Sequence, residues 1–372
     1  MKTFSELGIS EAFIKALDEL KIVTPTPIQI KSIPFLLEKG TDFIGQAPTG
    51  TGKTAAFGLP LLHAVNPGSD KVQALILTPT RELGQQIAKQ LFRFTKYADK
   101  KIFVECVYGG AHIEEQIRAL SRPTHIVVAT PGRLIDLLER KAVSLNHVKT
   151  IVLDEADEML SMGFKAELTQ VLNQTAGSRH TWLFSATMPQ EIKTIIKTYL
   201  AADAFRIILD SSEVINKKIE HQYVTCDAKD KMAVLFSFLR SQAKNRGIIF
   251  CRTKAGAREL VVQLTEKKYT ADALQGDMLQ KERDKVMRAF KKEKLQILVA
   301  TDIAARGLDI DNLAYVVHFQ IPERVDYYTH RSGRTARAGN TGISLSFITK
   351  DELPELKTIE RTLGIRIRNT CH

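Results

Sequence analysis

Cysteine is sparse in this chain. Its 372 residues hold four, Cys106, Cys226, Cys251 and Cys371, with no C-x-x-C pair and no histidine at ligand spacing. The usual grounds for a zinc site or a disulfide framework are therefore missing, and a reducing compartment fits best. Long apolar runs are absent too. Nowhere do eighteen consecutive apolar residues occur, so no membrane span is expected. The opening MKTFSELGIS has no signal-peptide apolar segment, and no low-complexity tract appears. A soluble, cytoplasmic protein is the expectation. Acidic residues are the scarcer charge, 42 against 53 Lys and Arg, for a formal net charge of +11. That surplus favours a polyanionic partner, nucleic acid before an anionic membrane, because no basic amphipathic helix stands apart. A merely basic cytosolic protein accounts for the charge about equally well.

What the chain has is a repeated alternation. Short Val, Ile and Leu runs recur in the first half as ALILTPT, IFVECVYGG, HIVVATPG, TIVLDEAD, TWLFSAT and FRIILD. Continuous rather than alternating apolarity predicts strands buried on both faces, as in a parallel sheet. Amphipathic stretches such as RELGQQIAKQLFRFTKYA and GRLIDLLERK lie between them. Strand and helix alternate, which predicts an α/β doubly wound domain. The pattern pauses in the polar LDSSEVINKKIEHQ and resumes with HQYVTC, RGIIFCRT, YTADALQG, QILVATD, AYVVHFQ and GISLSFIT. Two similar α/β domains are expected, over residues 1–208 and 219–372, with a linker at 209–218 and a short helical tail after residue 350.

FIGQAPTGTGKTAAFGLPLL reads as a short strand, a Gly-rich turn and a helix start. GTGKT matches the end of the phosphate-binding loop pattern, although Ala47 stands where the simple pattern has its first glycine. Along the loop Ala47, Pro48, Thr49, Gly50, Thr51 and Gly52, the two glycines let the backbone N–H groups of the residues other than proline converge on phosphate oxygens, helped by the helix N-terminus. Lys53 can reach the β- and γ-phosphates, and the Thr54 hydroxyl suits Mg2+. Further on, IVLDEADEML sets Asp154, Glu155, Asp157 and Glu158 within five positions after an apolar run. By itself that is most often a solvated first helical turn. With a phosphate loop about a hundred residues upstream, Asp154 becomes a second Mg2+ holder, directly or through water, and Glu155 the group that orients or deprotonates the attacking water.

Asp154 to Asp157 spell D-E-A-D, and with its companions in order the chain resembles the DEAD-box RNA helicase family from Phe4 to about residue 350. The resemblance implies two tandem RecA-like domains, each a mostly parallel sheet flanked by helices, ATP and Mg2+ as cofactors, and RNA as partner. Gln29 in TPTPIQ looks like the family's adenine-reading glutamine, and Phe4 like its isolated upstream aromatic. Ile22, preceded by Lys21 rather than Gly, replaces the usual aromatic against the adenine, which implies a weaker grip. Pro79, Thr80 and Arg81, Gly109 and Gly110, and Thr130, Pro131, Gly132 and Arg133 resemble the RNA-contacting motifs of the first domain. Ser185 and Thr187 of SAT resemble the motif that couples ATP state to RNA, through Asp157.

In the second half, HRSGRTARAG places His330, Arg331, Arg334 and Arg337 in the family's sixth motif. Arg334 and Arg337 are implied as arginine fingers supplied across a cleft, of a kind that contributes about 10³–10⁵ in rate in related NTPases, while His330 and Arg331 couple the domains. Ala336 stands where relatives often have Gly. ATDIAARGLDI resembles the fifth motif, with Thr301 and Asp302 toward RNA and Gly307 and Asp309 toward the nucleotide. Arg252 and Thr253, with Gly276, Gln280 and Arg283, complete the RNA edge. His221 and His318 carry no motif and are read as structural or surface histidines.

The activity implied is RNA-stimulated ATP hydrolysis coupled to cleft closure, strand bending and local unwinding of short duplexes. Single strands and short duplexes would be bound largely without regard to sequence, through phosphates, sugars and 2′-hydroxyls. A monomer is expected, and the sequence names no protein cofactor. An ATP-dependent RNA clamp with little unwinding uses the same motifs. A DNA translocase fits the RNA-type motifs less well, and a small-molecule P-loop kinase leaves the second domain's arginines unexplained.

Overall fold

The structure is a computed structural model that describes residues 2–38, 41–48, 50–175, 179–209, 218–305, 310, 313–336 and 341–370. The chain divides into two compact units, Met1–Leu209 and Asp210–His372. Apart from Leu209 and Lys218, the expected linker lies outside the described residues.

The first unit is built on strands β1 Phe43–Gln46, β2 Ala74–Leu77, β3 Val104–Val107, β4 Ile126–Ala129, β5 Thr150–Leu153, β6 His180–Ser185 and β7 Phe205–Ile208. They form one parallel sheet in the order β3-β4-β2-β5-β6-β1-β7. The runs ALIL, IVVA and TIVL are buried along their whole length. Such strands lose water on both faces, and the flanking helices supply the cover. Helix Arg81–Phe94 does so with Leu83, Ile87, Leu91 and Phe94, spaced as one face of a 3.6-residue helix. Each such side chain contributes about 1.5–3 kcal/mol by leaving water. Its start is fixed by Thr80, whose Oγ1 accepts a hydrogen bond from Leu83 N–H at 3.3 Å.

Two strands depart from the expectation of burial on both faces. Three of the four residues in VECV are half-exposed, and in FRII Phe205 and Ile208 are 41% and 61% exposed. Both are edge strands, with a neighbour on one side only, and an apolar run there is not enclosed as it is mid-sheet. Phe205 is instead shielded by stacking on Phe35, ring centroids 4.0 Å apart.

The second unit repeats the plan with β8 Ile219–Thr225, β9 Gly247–Phe250, β10 Ala271–Leu274, β11 Ile297–Ala300, β12 Tyr315–His318, β13 Gly342–Ile348 and β14 Arg368–Asn369. All its pairings are parallel, in the order β10-β11-β9-β12-β13-β8-β14. The tail corrects the expectation of a helix alone. Helix Leu353–Leu363 ends at Gly364, whose φ of 63° lets the chain reverse, and the chain then returns as β14 beside β8. Ile367 enters a core cluster with Leu356 and Ile359, which holds the returning segment. Two residues of polar strand carry no period, so nothing in the sequence marked them. Among the described residues no helix is long and apolar enough to cross a membrane.

Candidate functional site

In the first unit the carboxyl ends of β1, β5 and β6 stand side by side: Gln46 is in register with Ser185, and Leu153 with Leu183. Open parallel sheets bind ligands at this end of their strands. The loop leaving β1 starts with Ala47, whose N–H donates to Ser185 O at 3.0 Å. Gly50 and Gly52 then take φ of 81° and 86°, left-handed values that strain any other residue. Thr51 Oγ1 closes the loop by donating to Pro48 O at 2.9 Å, and Thr49 lies outside the described residues.

Helix Lys53–Ala64 begins directly after Gly52, with Thr54 in its first turn. Lys53 is buried, and its Nζ donates to Ala47 O at 3.1 Å across the loop. Gln29, on helix Pro27–Glu38, uses both ends of its amide. It accepts from Thr26 N–H at 2.9 Å and donates through Nε2 to Gly52 O at 3.0 Å. A Cβ on Gly52 would lie 2.4 Å from that Nε2, so a larger residue here would have to displace the Gln29 amide. Phe4 is buried in the core, and Ile22 is half-buried beside Lys21, whose φ is 59°.

The four acids after β5 have separate surroundings. Asp154 is buried, and burial pushes its carboxyl up to about 7; Glu155 and Asp157 push the same way, against Lys53 and the Glu155 N–H, which donates to Asp154 Oδ1 at 3.0 Å. Glu155 has φ and ψ both at 50°, a left-handed conformation that costs a non-glycine residue of order 1–3 kcal/mol and needs its surroundings to hold it. Asp157 Oδ2 accepts from Thr187 N–H at 2.9 Å and from Thr187 Oγ1 at 2.7 Å. Ser185 Oγ lies between the same segments, accepting from Asp157 N–H at 3.3 Å and donating to Thr187 O at 2.7 Å. Glu158 is buried and accepts from Ser161 Oγ at 3.2 Å.

The loop fits a nucleoside triphosphate with Mg2+. It offers left-handed glycines, a helix N-terminus, a buried ammonium and a buried carboxyl that without a cation is driven toward its neutral form. Among the described residues no group of three or more His, Cys, Asp or Glu could hold a metal unaided. A Mg2+ here would therefore complete its shell with phosphate and water oxygens, its usual habit at nucleotide sites.

A second set of first-unit residues lines the ends of β2, β3 and β4. Thr78 Oγ1 donates to Thr80 O at 3.1 Å, which fixes the turn that carries Pro79 and Arg81. Arg81 pairs with Glu82 at 3.1 Å and leans over Gly110, where a Cβ would lie 3.1 Å from Arg81 Nη1. Gly109 and Gly132 face open space. Thr130 and Pro131 begin helix Pro131–Glu139. Arg133 is held by its Nη2 donating to Ala111 O at 3.1 Å, and its buried Nη1 meets no acceptor. The structure thus brings the first two motif segments together and aims the third at the segment after Gly110.

The second unit offers a matching edge. Arg252 follows β9; its N–H donates to Gln320 Oε1 at 2.9 Å and its Nη2 to Ile321 O at 3.2 Å. Thr253 Oγ1 caps helix Lys254–Glu266, accepting from Gly256 N–H at 3.0 Å. Gly276 faces Lys254, and Gln280 opens helix Gln280–Lys291 with its amide donating to Asp284 at 2.7 Å. Arg283 is buried, with Nη2 donating to Ala304 O at 3.1 Å, so it ties its helix to the segment after Thr301. Asp302 takes a two-pronged grip from Arg331, Nε and Nη2 each 2.6 Å from one carboxylate oxygen. His330 and Arg331 lie in the last turn of helix Val325–Ser332, and Arg334 follows it with its N–H donating to Arg331 O at 3.1 Å. Gly307, Asp309 and Arg337 lie outside the described residues. Ala336 has a φ of 56°, a left-handed value, so this alanine is a strained choice rather than a neutral one.

Sequence reasoning passed over Gln320. Its side chain holds the Arg252 backbone, and its carbonyl accepts from Arg331 Nη1 at 3.0 Å, which joins two motifs. The available signal was a polar residue at the carboxyl end of a buried strand, in AYVVHFQ.

A family profile described as DEAD/DEAH box helicase matches residues 26–195, and one described as helicase conserved C-terminal domain matches residues 230–339. The chain is 44% identical over 362 residues to the DEAD-box ATP-dependent RNA helicase CshA of Geobacillus kaustophilus (strain HTA426), covering 97% of this chain and 77% of that protein. It is also 44% identical, over 364 residues, to the ATP-dependent RNA helicase CshA of Limosilactobacillus reuteri, covering 98% and 72%. Among solved structures, S. cerevisiae Dbp5 bound to RNA and ADP BeF3 aligns with a TM-score of 0.90 at 31% identity, over 100% of this chain and 96% of that one.

Proposed function

The chain belongs to the DEAD-box RNA helicase family and is an ATP-dependent RNA helicase; from that premise we propose that Lys53, Asp154 and Glu155 act on the triphosphate from the first unit and Arg334 and Arg337 from the second. The observation that carries this reading is the meeting of Lys53, Asp154 and Glu155 at the ends of β1 and β5. Lys53 holds the phosphates, and the N–H groups from Ala47 to Thr54, with the left-handed Gly50 and Gly52 among them, wrap them. Mg2+, held by Thr54 and Asp154 partly through water, would neutralise phosphate charge and align the γ-phosphate for attack. Glu155, fixed in its strained conformation, orients the attacking water and takes its proton. Arg334 and Arg337 stabilise the charge on the γ-phosphoryl group as it passes from ADP to water. Gln29, with Phe4 and Ile22 nearby in sequence, serves the base, and its hydrogen bond to Gly52 O passes that recognition to the loop. Gly307 and Asp309 add the second unit's nucleotide contacts.

RNA is bound in this proposal by the strand-end residues of each unit: Pro79 to Arg81, Gly109, Gly110 and Thr130 to Arg133 in one, and Arg252, Thr253, Gly276, Gln280, Arg283, Thr301 and Asp302 in the other. Threonine hydroxyls, glycine amides and arginines suit phosphates and sugars, which makes binding indifferent to sequence. Asp157, Ser185 and Thr187 link the acidic motif to the end of β6 and the segment after it, and Arg331 links Asp302 to the sixth motif, so ATP and RNA raise each other's affinity. Stacking costs on the order of 1.4 kcal/mol per base-pair step, so one cycle of binding can displace only a few pairs. Short duplexes are the natural substrate, and a monomer suffices.

The test is ATP turnover with and without RNA, in the parent and in Glu155→Gln, beside a strand-displacement assay. RNA should stimulate the parent, and Glu155→Gln should lose at least 100-fold, the lower range for a general base (about 10²–10⁴). A parent indifferent to RNA, or a fully active Glu155→Gln, would overturn the assignment. Stimulated turnover without strand displacement would instead support the RNA clamp.

A further inference from the structure

A buried polar layer lies behind the Asp302–Arg331 pair. His318, the last residue of β12, is fully buried, yet both ring nitrogens have partners. Nε2 is 3.0 Å from Ser344 Oγ and 3.3 Å from Ser332 Oγ, and those two hydroxyls are 2.8 Å apart. Nδ1 lies 3.4 Å from Arg331 Nη1. The ring itself is clamped: Tyr328 stacks on it at 4.6 Å and 9°, and Phe250 lies beyond at 6.5 Å and 25°. Tyr328 is fixed in turn, its hydroxyl 2.9 Å from His221 Nδ1.

Arg331 carries five N–H groups, and its neighbours account for how it is aimed. Nε and Nη2 grip Asp302, and Nη1 donates to Gln320 O. The remaining direction of Nη1 is toward His318. A guanidinium can only donate, so the nitrogen that faces it must be bare. That places the imidazole proton on Nε2, where the serine hydroxyls accept it. An imidazolium would set an N–H against the guanidinium, and burial together with Arg331 holds His318 well below the ordinary imidazole range. A purely packed position would be served better by an apolar ring, because burying polar atoms costs stability unless each is matched. Here each is matched, and one match is to a side chain the function uses.

We propose that His318 is a positioning residue for RNA engagement: through a bare Nδ1 it holds Arg331 in the orientation that grips Asp302. This rests on the reading of Asp302 as an RNA contact. His318→Asn keeps an acceptor near Nδ1, whereas His318→Leu removes it. A hydrogen bond to a charged donor, taken at the weak end for its length, corresponds to about a tenfold effect. The RNA concentration for half-maximal ATPase stimulation should therefore rise about tenfold in His318→Leu and stay within about threefold of the parent in His318→Asn. Turnover at saturating RNA should stay within about threefold in both. Unchanged RNA dependence in folded His318→Leu overturns the inference, as does His318→Asn impaired as much as His318→Leu.

Should His318→Leu fail to fold, His318→Gln, whose amide reaches toward Nε2 instead, takes its place; it should be impaired where His318→Asn is not, and equal behaviour overturns the inference. Nitrogen-15 NMR of the parent gives a second readout. The spectrum should have a bare Nδ1 and a protonated Nε2 from pH 6 to 8, and a protonated Nδ1 overturns the inference. If RNA fails to stimulate the parent, the functional reading falls on its own, and the NMR result alone decides the tautomer on which the inference rests.

Discussion

Lowering the pH from 7 to 5 should loosen the second unit, and His221 gives the magnitude. This histidine is buried on β8 with Nδ1 against Tyr328 OH, and burial pushes its imidazole down from 6.5 to about 4. The folded state therefore favours the neutral ring. Above 6.5 both states are neutral and stability is complete; between 6.5 and 4 the unfolded chain binds the proton and the folded unit does not, so stability falls with pH. At pH 5 the chain stands one and a half units below the exposed value, and at about 1.36 kcal/mol per unit the loss is about 2 kcal/mol. His318 adds a loss of the same sign. Urea unfolding followed by far-UV circular dichroism at both pH values measures it, in the parent and in His221→Gln, where this share of the pH dependence should vanish. Trp182, the single tryptophan, sits in β6 and reports the first unit separately by its fluorescence. A second unit equally stable at pH 5 and 7, or a His221 that titrates near 6.5, would refute the reasoning.

Ile22→Phe should tighten nucleotide binding about two- to tenfold, from the 0.5–1.5 kcal/mol an aromatic stack adds beyond area; a fluorescent-nucleotide titration that gives an unchanged or weaker dissociation constant sinks the idea. Ala336→Gly should raise the stability of the second unit by about 0.5–1 kcal/mol, because φ of 56° strains alanine while glycine's extra freedom when unfolded takes back part of the gain. Urea unfolding checks it, with the Trp182 transition unmoved, and a less stable second unit would contradict it.

The strands were legible because a parallel sheet covered on both faces demands unbroken Val, Ile and Leu, and such runs are visible without knowing their neighbours. The phosphate loop was legible because left-handed turns near phosphate require glycine, and Gly50 and Gly52 stand where φ is positive. What stayed hidden lacks a residue-type signature. The edges β3 and β7 use the same alphabet as central strands, and β14 is too short to have a period. Lys21, Glu155 and Ala336 occupy left-handed conformations that glycine would have announced. The His318–Arg331–Gln320 cluster joins a strand end to a later helix by side-chain geometry, and no spacing rule encodes it.

The acidic cluster in IVLDEADEML illustrates the difference. Four carboxylates within five residues imply one strong cation that collects them, but the structure divides them instead. Asp157 accepts from Thr187 through Oδ2 and is linked through its N–H to Ser185, and Glu158 accepts from Ser161. Asp154, buried with Lys53 as the charge that opposes its neutralisation, is driven toward the neutral form. Glu155 is left at the strained position, part-buried. On the proposed reading, a cation brought with the triphosphate acts on Asp154, whose charged form burial disfavours. One short stretch can then hold a metal ligand, a base and a coupling residue because the carboxylates have separate surroundings rather than one shared cation: Asp154 lies beside Lys53 and the Glu155 N–H, Asp157 beside Thr187, and Glu158 beside Ser161.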